Sequence, residues 1–118
     1  MKLNTELTRF KIKKGKEGRI KEWMDLLRDN LSATLATLDG EKMYIESIFS
    51  DLDEGFMYWY SIQGEGGIDV HDSEFEIDKK HIEFAHECID NEDPNFKKNM
   101  KLELAMLNPQ IEKNLPNL

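Results

Sequence analysis

Two apolar, alternating stretches separated by a six-residue turn constrain this chain most. Glu41 to Phe49 reads EKMYIESIF, Phe56 to Gln63 reads FMYWYSIQ, and Ser50-Asp51-Leu52-Asp53-Glu54-Gly55 lies between them. Period-2 alternation and aromatic enrichment predict strands, and so short a connection makes the pair an antiparallel hairpin. In the first strand Met43, Ile45, Ser47 and Phe49 share one face, and Tyr44, Glu46 and Ile48 the other. The register of the hairpin is open at this stage, because a slip of one residue exchanges the faces.

The flanks repeat one pattern on each side. Thr5 to Lys13 alternates, with Thr8, Phe10 and Ile12 on one face, and is a strand that breaks at Lys14-Gly15-Lys16. A helix is expected from about Glu17 to Leu38, on a stripe of Ile20, Trp23, Met24, Leu27, Leu31, Thr34, Leu35 and Leu38, with Asp39-Gly40 ending it. After the hairpin, Gly64-Glu65-Gly66-Gly67 opens a loop, read as a lid or a plain connection. Ser73 and Glu76 have capping-box spacing at the head of a second helix that ends near Asn91 to Pro94. Met100 to Leu107, MKLELAML, alternates and is expected as a fourth strand. The order β-α-β-β-α-β specifies an α+β, ferredoxin-like fold: a four-stranded antiparallel sheet, order 4-1-3-2, with both helices on one face. Residues 1–107 form the domain and residues 108–118 a C-terminal tail, packed through Ile111 and Leu115. Large apolar groups on both faces of the hairpin leave one face unsheltered in a single copy, so a homodimer is expected.

Charge narrows the partners. The chain carries a net −8, distributed as +3 over residues 1–40, −13 over 41–95 and +2 over 96–118. An acidic centre without a basic patch argues against nucleic acid and anionic membrane. Hydrophobic residues at 39% and charged residues at 34% suit a folded soluble protein. No apolar run approaches a membrane span, no signal-peptide core is evident, and the single Cys88 has no disulfide partner, which together point to the cytoplasm.

The second helix carries the candidate chemistry. Ile77, Phe84, Cys88, Ala85, Ile89, Ile82 and Phe75 fall in one arc, and Asp78 and His81 fall in its centre. Three residues apart, they are placed to pair, the carboxylate orienting the ring for acid–base work. Mutual satisfaction within a packed helix is the plainer alternative. Glu46 is a second acid–base candidate if its strand face is interior, where burial would raise its pKa unless Arg9 or Lys11 answers it. Otherwise it is a solvated edge residue. Trp59, Tyr60 and Tyr44 are the residue types that line a small aromatic ligand, or fill a core or interface, and Gln63 and Arg9 are the polar ligand-binding candidates beside them. Asp51-x-Asp53 fails as a calcium loop, since its sixth and twelfth positions are Phe56 and Ile62. His81 and His86 do not share a helix face. No metal site, cofactor motif or nucleophile motif is read.

Four stretches, ELTRFKIKKGKE, EKMYIESIF, YWYSIQGEGG and EIDKKHIEFAHECID, together resemble a family of small bacterial proteins of unknown function within the dimeric α/β-barrel group. The resemblance spans roughly residues 3 to 92. It implies the ferredoxin-like fold and a dimer, and the wider group includes antibiotic-biosynthesis monooxygenases, haem-degrading monooxygenases, muconolactone isomerases and stress-response barrel proteins. Haem-degrading members use an Asn on the first strand, a Trp on the third and a His on the second helix. Trp59 and His81 match, but Thr5 to Lys13 contains no Asn, only Asn4 just before it, which argues against haem. The resemblance therefore implies a small-molecule site near His81 with monooxygenase or isomerase-type chemistry, or a non-catalytic, stress-associated binding module.

Overall fold

The computed structural model describes residues 2–115. In chain order they form β1 (Asn4–Lys11), α1 (Glu17–Asp29), α2 (Leu31–Glu41), β2 (Met43–Asp51), β3 (Phe56–Gln63), α3 (Glu76–Cys88), β4 (Lys97–Asn99) and α4 (Pro109–Asn114). The sheet order is β2-β3-β1-β4, antiparallel throughout, as the element order predicts. The register across the three long strands sets the faces. Glu46 lies opposite Ser61 and Ser61 opposite Glu6, while Ile48, Trp59 and Thr8 form the next row. This face packs against α1 and α3 around a core of Ile12, Ile20, Trp23, Met57, Cys88 and Ile89, with Trp59 and Phe84 against it. Leu7, Arg9, Phe49, Tyr58 and Tyr60 stand on the other face, which the helices do not cover.

Several boundaries differ from expectation, each for a local reason. β1 begins one residue early, so Asn4 lies in it, its side-chain amide donating to Glu6 at 2.8 Å. The single helix expected from Glu17 to Leu38 is two helices that break at Asn30. There the side-chain amide donates to the Leu26 carbonyl at 2.8 Å, and the Asn30 backbone is outside helical geometry. Asn competes with the helical ladder in this way. The break rotates α2, so Leu31 and Leu35 are exposed rather than part of a buried stripe. Asp39-Gly40 does not end α2, which runs on to Glu41 and turns at Lys42 in the left-handed region (φ 55°).

β2 consequently starts two residues late, with a bulge between Met43 and Ile45. α3 begins at Glu76 with no side-chain cap bond; the Ser73 hydroxyl instead accepts from the Phe75 N–H at 3.1 Å. β4 is only Lys97–Asn99, against Thr8–Phe10, and residues 100–108 form no strand. The alternation of MKLELAML is genuine, but the Met100 N–H, bonded to the Leu7 carbonyl at 2.8 Å, is the last ladder-like contact on that edge. Of the expected tail 108–118, α4 and the buried Leu115 are seen, Ile111 is exposed, and residues 116–118 lie outside the described part.

Candidate functional site

Burying a carboxyl is costly without a cation or several hydrogen bonds, yet three carboxyls gather between the sheet and the helices. Glu46 points inward from the middle of β2, and its Oε1 accepts a 2.7 Å hydrogen bond from Trp59 Nε1 on the neighbouring strand. Burial pushes its pKa up, the Trp59 N–H opposes this, and the Asp78 carboxylate adds to it. Glu41, at the C-terminus of α2, is 9% exposed. Its pKa is pushed up to about 7, first by burial and then by the Glu46 and Asp78 carboxylates. Asp78, in the first turn of α3, is 7% exposed, and its Oδ2 has no hydrogen-bond partner. Among the described residues no Lys or Arg forms an ion pair with any of the three.

His81 is fixed by a residue far away in sequence. Trp23 Nε1, on α1, donates to His81 Nδ1 at 2.9 Å. Indole N–H can only donate, so Nδ1 carries the lone pair and the remaining proton of the neutral ring is on Nε2. Burial holds the pKa below its usual value, with the Asp78 carboxylate opposing, so the ring is neutral at pH 7. The expected Asp78–His81 hydrogen bond is therefore replaced by Trp23. His81 lies against both indoles, 5.4 Å from Trp23 and 5.8 Å from Trp59 between ring centroids. The indoles are themselves 5.5 Å apart.

The loop after β3 closes one end of this cluster. Gln63 Nε2 donates to the Glu41 carbonyl at 2.9 Å, Gly64 N–H to Lys42 O at 2.8 Å, and Ile68 N–H to Gly40 O at 3.0 Å. A Cβ at Gly67 would overlap the Glu41 carbonyl, so glycine alone permits this approach. The segment read as a lid or plain loop is thus bonded to the α2–β2 junction at both ends. Tyr44 lies beside Gly64, where a Cβ would meet its hydroxyl at 3.0 Å.

The structure accordingly brings together Glu46, Trp59, His81 and Asp78, with Tyr44 and Gln63 at the loop end. Two residues expected to line the same site stand elsewhere. Tyr60 is on the opposite face of the sheet, and so is Arg9, whose guanidinium lies 4.3 Å from the Phe56 ring centroid. The sheet separates Arg9 from Glu46, so it cannot answer that carboxylate. Glu41 and Trp23 were missed. Alternation assigns Glu41 to the start of a strand, and only the continuation of α2 through Gly40 puts this acid at a helix C-terminus. Trp23 was read as part of an apolar stripe, although a fully buried indole N–H requires an acceptor.

Comparison with known proteins adds fold and family. The model of a family of unknown function, DUF6176, matches residues 3–113. No curated protein matches the sequence. The crystal structure of L-rhamnose mutarotase from Formosa agariphila is similar, with a TM-score of 0.55, 23% identity, and coverage of 89% of this chain and 98% of that one. At that identity it supports the ferredoxin-like α+β fold alone. Among the described residues no helix is long and apolar enough to cross a membrane, and no group of three or more His, Cys, Asp or Glu is placed to hold a metal ion.

Proposed function

Since this chain belongs to the family of unknown function matched over residues 3–113, its chemistry must come from its own residues, and we propose that the cluster beneath α3 binds a small, ring-bearing molecule and moves protons on it. One observation carries the proposal: buried Glu41 and Asp78 and half-buried Glu46 act on one another electrostatically, Asp78 also acts on His81, and among the described residues no Lys or Arg pairs with the three carboxyls. A purely structural cluster would be better served by apolar residues or by an ion pair.

The roles follow from protonation. Carboxyls whose surroundings raise their pKa toward neutrality exchange protons readily at pH 7. Glu41, at about 7, is half protonated there and can serve as donor. Glu46 is oriented through Oε1 by Trp59 and takes a proton through its other oxygen. Neutral His81, held through Nδ1 by Trp23, polarises a substrate oxygen with its Nε2–H rather than acting as a base. Asp78 supplies a buried acceptor, Oδ2, for a ligand hydroxyl or N–H. Trp59 offers a flat face, and Tyr44 and Gln63 flank the loop end. One proton leaves the substrate for Glu46 and one arrives from Glu41, which is the balance of an isomerisation. No oxidant is required, so the isomerase reading is preferred to the monooxygenase reading. The single, buried Cys88 fits a reducing compartment such as the cytoplasm.

The fold neighbour is a sugar mutarotase, so anomer exchange is the first reaction to assay. NMR exchange spectroscopy on a panel of reducing sugars, lactones and phenols is expected to show protein-dependent interconversion of at least one, reduced ~100-fold or more in Glu46→Gln. Binding without interconversion would make the chain a non-catalytic binding module. Panel-wide absence of shifts at His81 and Trp59 would remove the site.

A further inference from the structure

The carboxyl cluster lacks its counter-charge. Glu41 and Asp78 are buried and Glu46 is half-buried, on α2, α3 and β2 respectively. The Glu46 and Asp78 carboxylates both act on Glu41, as does Asp69 in the loop before α3. Like charges gathered in this way repel, and burial denies them water. His81 beside them is neutral and contributes no charge. On the helices over the cluster, Arg19 is committed to Glu87 and Lys79 to Glu76.

One atom makes the deficit specific. Asp78 is 7% exposed, and its Oδ2 is sealed from solvent without a hydrogen-bond partner. A buried acceptor left unmade costs free energy that an entering donor would recover. That donor is narrowed by its surroundings. Among the described residues no group of three or more His, Cys, Asp or Glu is placed to hold a metal ion. A metal needs its oxygens drawn onto one centre, whereas an organic cation can span them. Aromatic surface lies alongside: Trp59 donates to Glu46 at 2.7 Å and stands 5.5 Å from Trp23. Indole is the best aromatic partner of a cation. Residues 41–95, which hold all three carboxyls, carry a net −13. Such a field draws cations toward the cluster and repels anions.

We infer that the ligand of this cluster carries a protonated amine on its ring, whose N–H groups bond Asp78 Oδ2 and the Glu46 carboxylate beside Trp59. The inference rests on the proposed reading of the cluster as a ligand site and narrows its substrate to ring-bearing amines. A neutral hydroxyl compound would satisfy Asp78 but leave the gathered charge uncompensated. A cation beside Glu41 also favours its ionised form, easing release of the proton assigned to it.

Matched pairs at pH 7 test it: benzylamine against benzyl alcohol, and cyclohexylamine against cyclohexanol. Binding is read from the indole N–H resonances of Trp23 and Trp59 in the full chain. Each amine is expected to bind ~10-fold or more tightly than its alcohol, the worth of one charge-assisted hydrogen bond. Asp78→Asn should abolish that preference. Glu83→Gln, an equal charge change on the exposed side of α3, should keep it. Glu46→Gln repeats the Asp78 test if that variant does not fold. Alcohols that bind as tightly as the amines would overturn the inference and leave the site standing. A preference that survives Asp78→Asn would overturn it too, by tracing the attraction to the acidic surface at large. Should neither member of either pair move the resonances, the inference and the site it rests on fall together.

Discussion

Replacing Glu41 with Gln should stabilise the protein in a pH-dependent way. In the folded chain the Glu41 carboxyl titrates at about 7, against an ordinary 4.5. Its folded pKa is therefore raised, and the native state holds a proton that the unfolded chain has already released between those values. Stability is unaffected below about 4.5, falls as pH rises through that window, and levels off above about 7. At full burial the shift would correspond to about 3 kcal/mol. Relaxation of the protein around the ionised carboxyl, equivalent to a dielectric well above that of a dry interior, reduces the figure to roughly 1–2 kcal/mol. Glutamine imitates the neutral acid and removes the titration. Urea unfolding of wild type and Glu41→Gln should thus give nearly equal free energies at pH 4.5. The variant should be more stable by roughly 1–2 kcal/mol at pH 8.5. Carboxyl-carbon NMR titration reads the same pKa directly. Equal destabilisation of the variant at both pH values would refute the reasoning, because it would mean that the carboxyl titrates at the same pH folded and unfolded.

Three further outcomes follow from contacts around the site. His81→Leu strips Trp23 Nε1 of its acceptor and should cost ~1–3 kcal/mol in urea unfolding, whereas His81→Gln retains an acceptor and should cost ~1 kcal/mol or less; equal losses would show that ring packing dominates. Glu87, held at about 2 by Arg19 and Lys16, links α3 to α1; its stabilisation is present above about 4.5 and lost as pH falls toward 2, so Glu87→Gln should flatten acid unfolding across that window. Gly67→Ala places a methyl on the Glu41 carbonyl and should cost ~1–3 kcal/mol, with faster hydrogen exchange at the Gly64 and Ile68 amides.

The fold was legible because its strands are short and regular. Thr8, Phe10 and Ile12 alternate, the aromatic hairpin alternates, and the antiparallel order β2-β3-β1-β4 follows from those patterns and the helices between them. The break at Asn30 was hidden because Leu27, Leu31 and Leu35 keep helical spacing across it; the decisive bond, from the Asn30 amide to Leu26 O, is a local competition that periodicity does not report. The segment 100–107 shows the converse. Alternation identifies a segment as strand-like, but not whether a strand lies beside it to pair with. Half of the site was legible, since Asp78 and His81 interrupt an apolar arc and Glu46 occupies a strand centre. The remainder comes from tertiary approach. Trp23 reaches His81 across 58 positions, and the side of the sheet on which Arg9 falls depends on register.

The two indoles give the site an optical readout. They are the chain's two tryptophans, 5.5 Å apart, and each donates its N–H to a titratable group, one to His81 and one to Glu46. All of the protein's indole fluorescence, and any exciton signal in its near-ultraviolet dichroism, therefore originates at the proposed reaction centre. Proton movement at Glu46, or a molecule entering beside Trp59, can be followed in the unlabelled protein by exciting the indoles selectively over the three tyrosines.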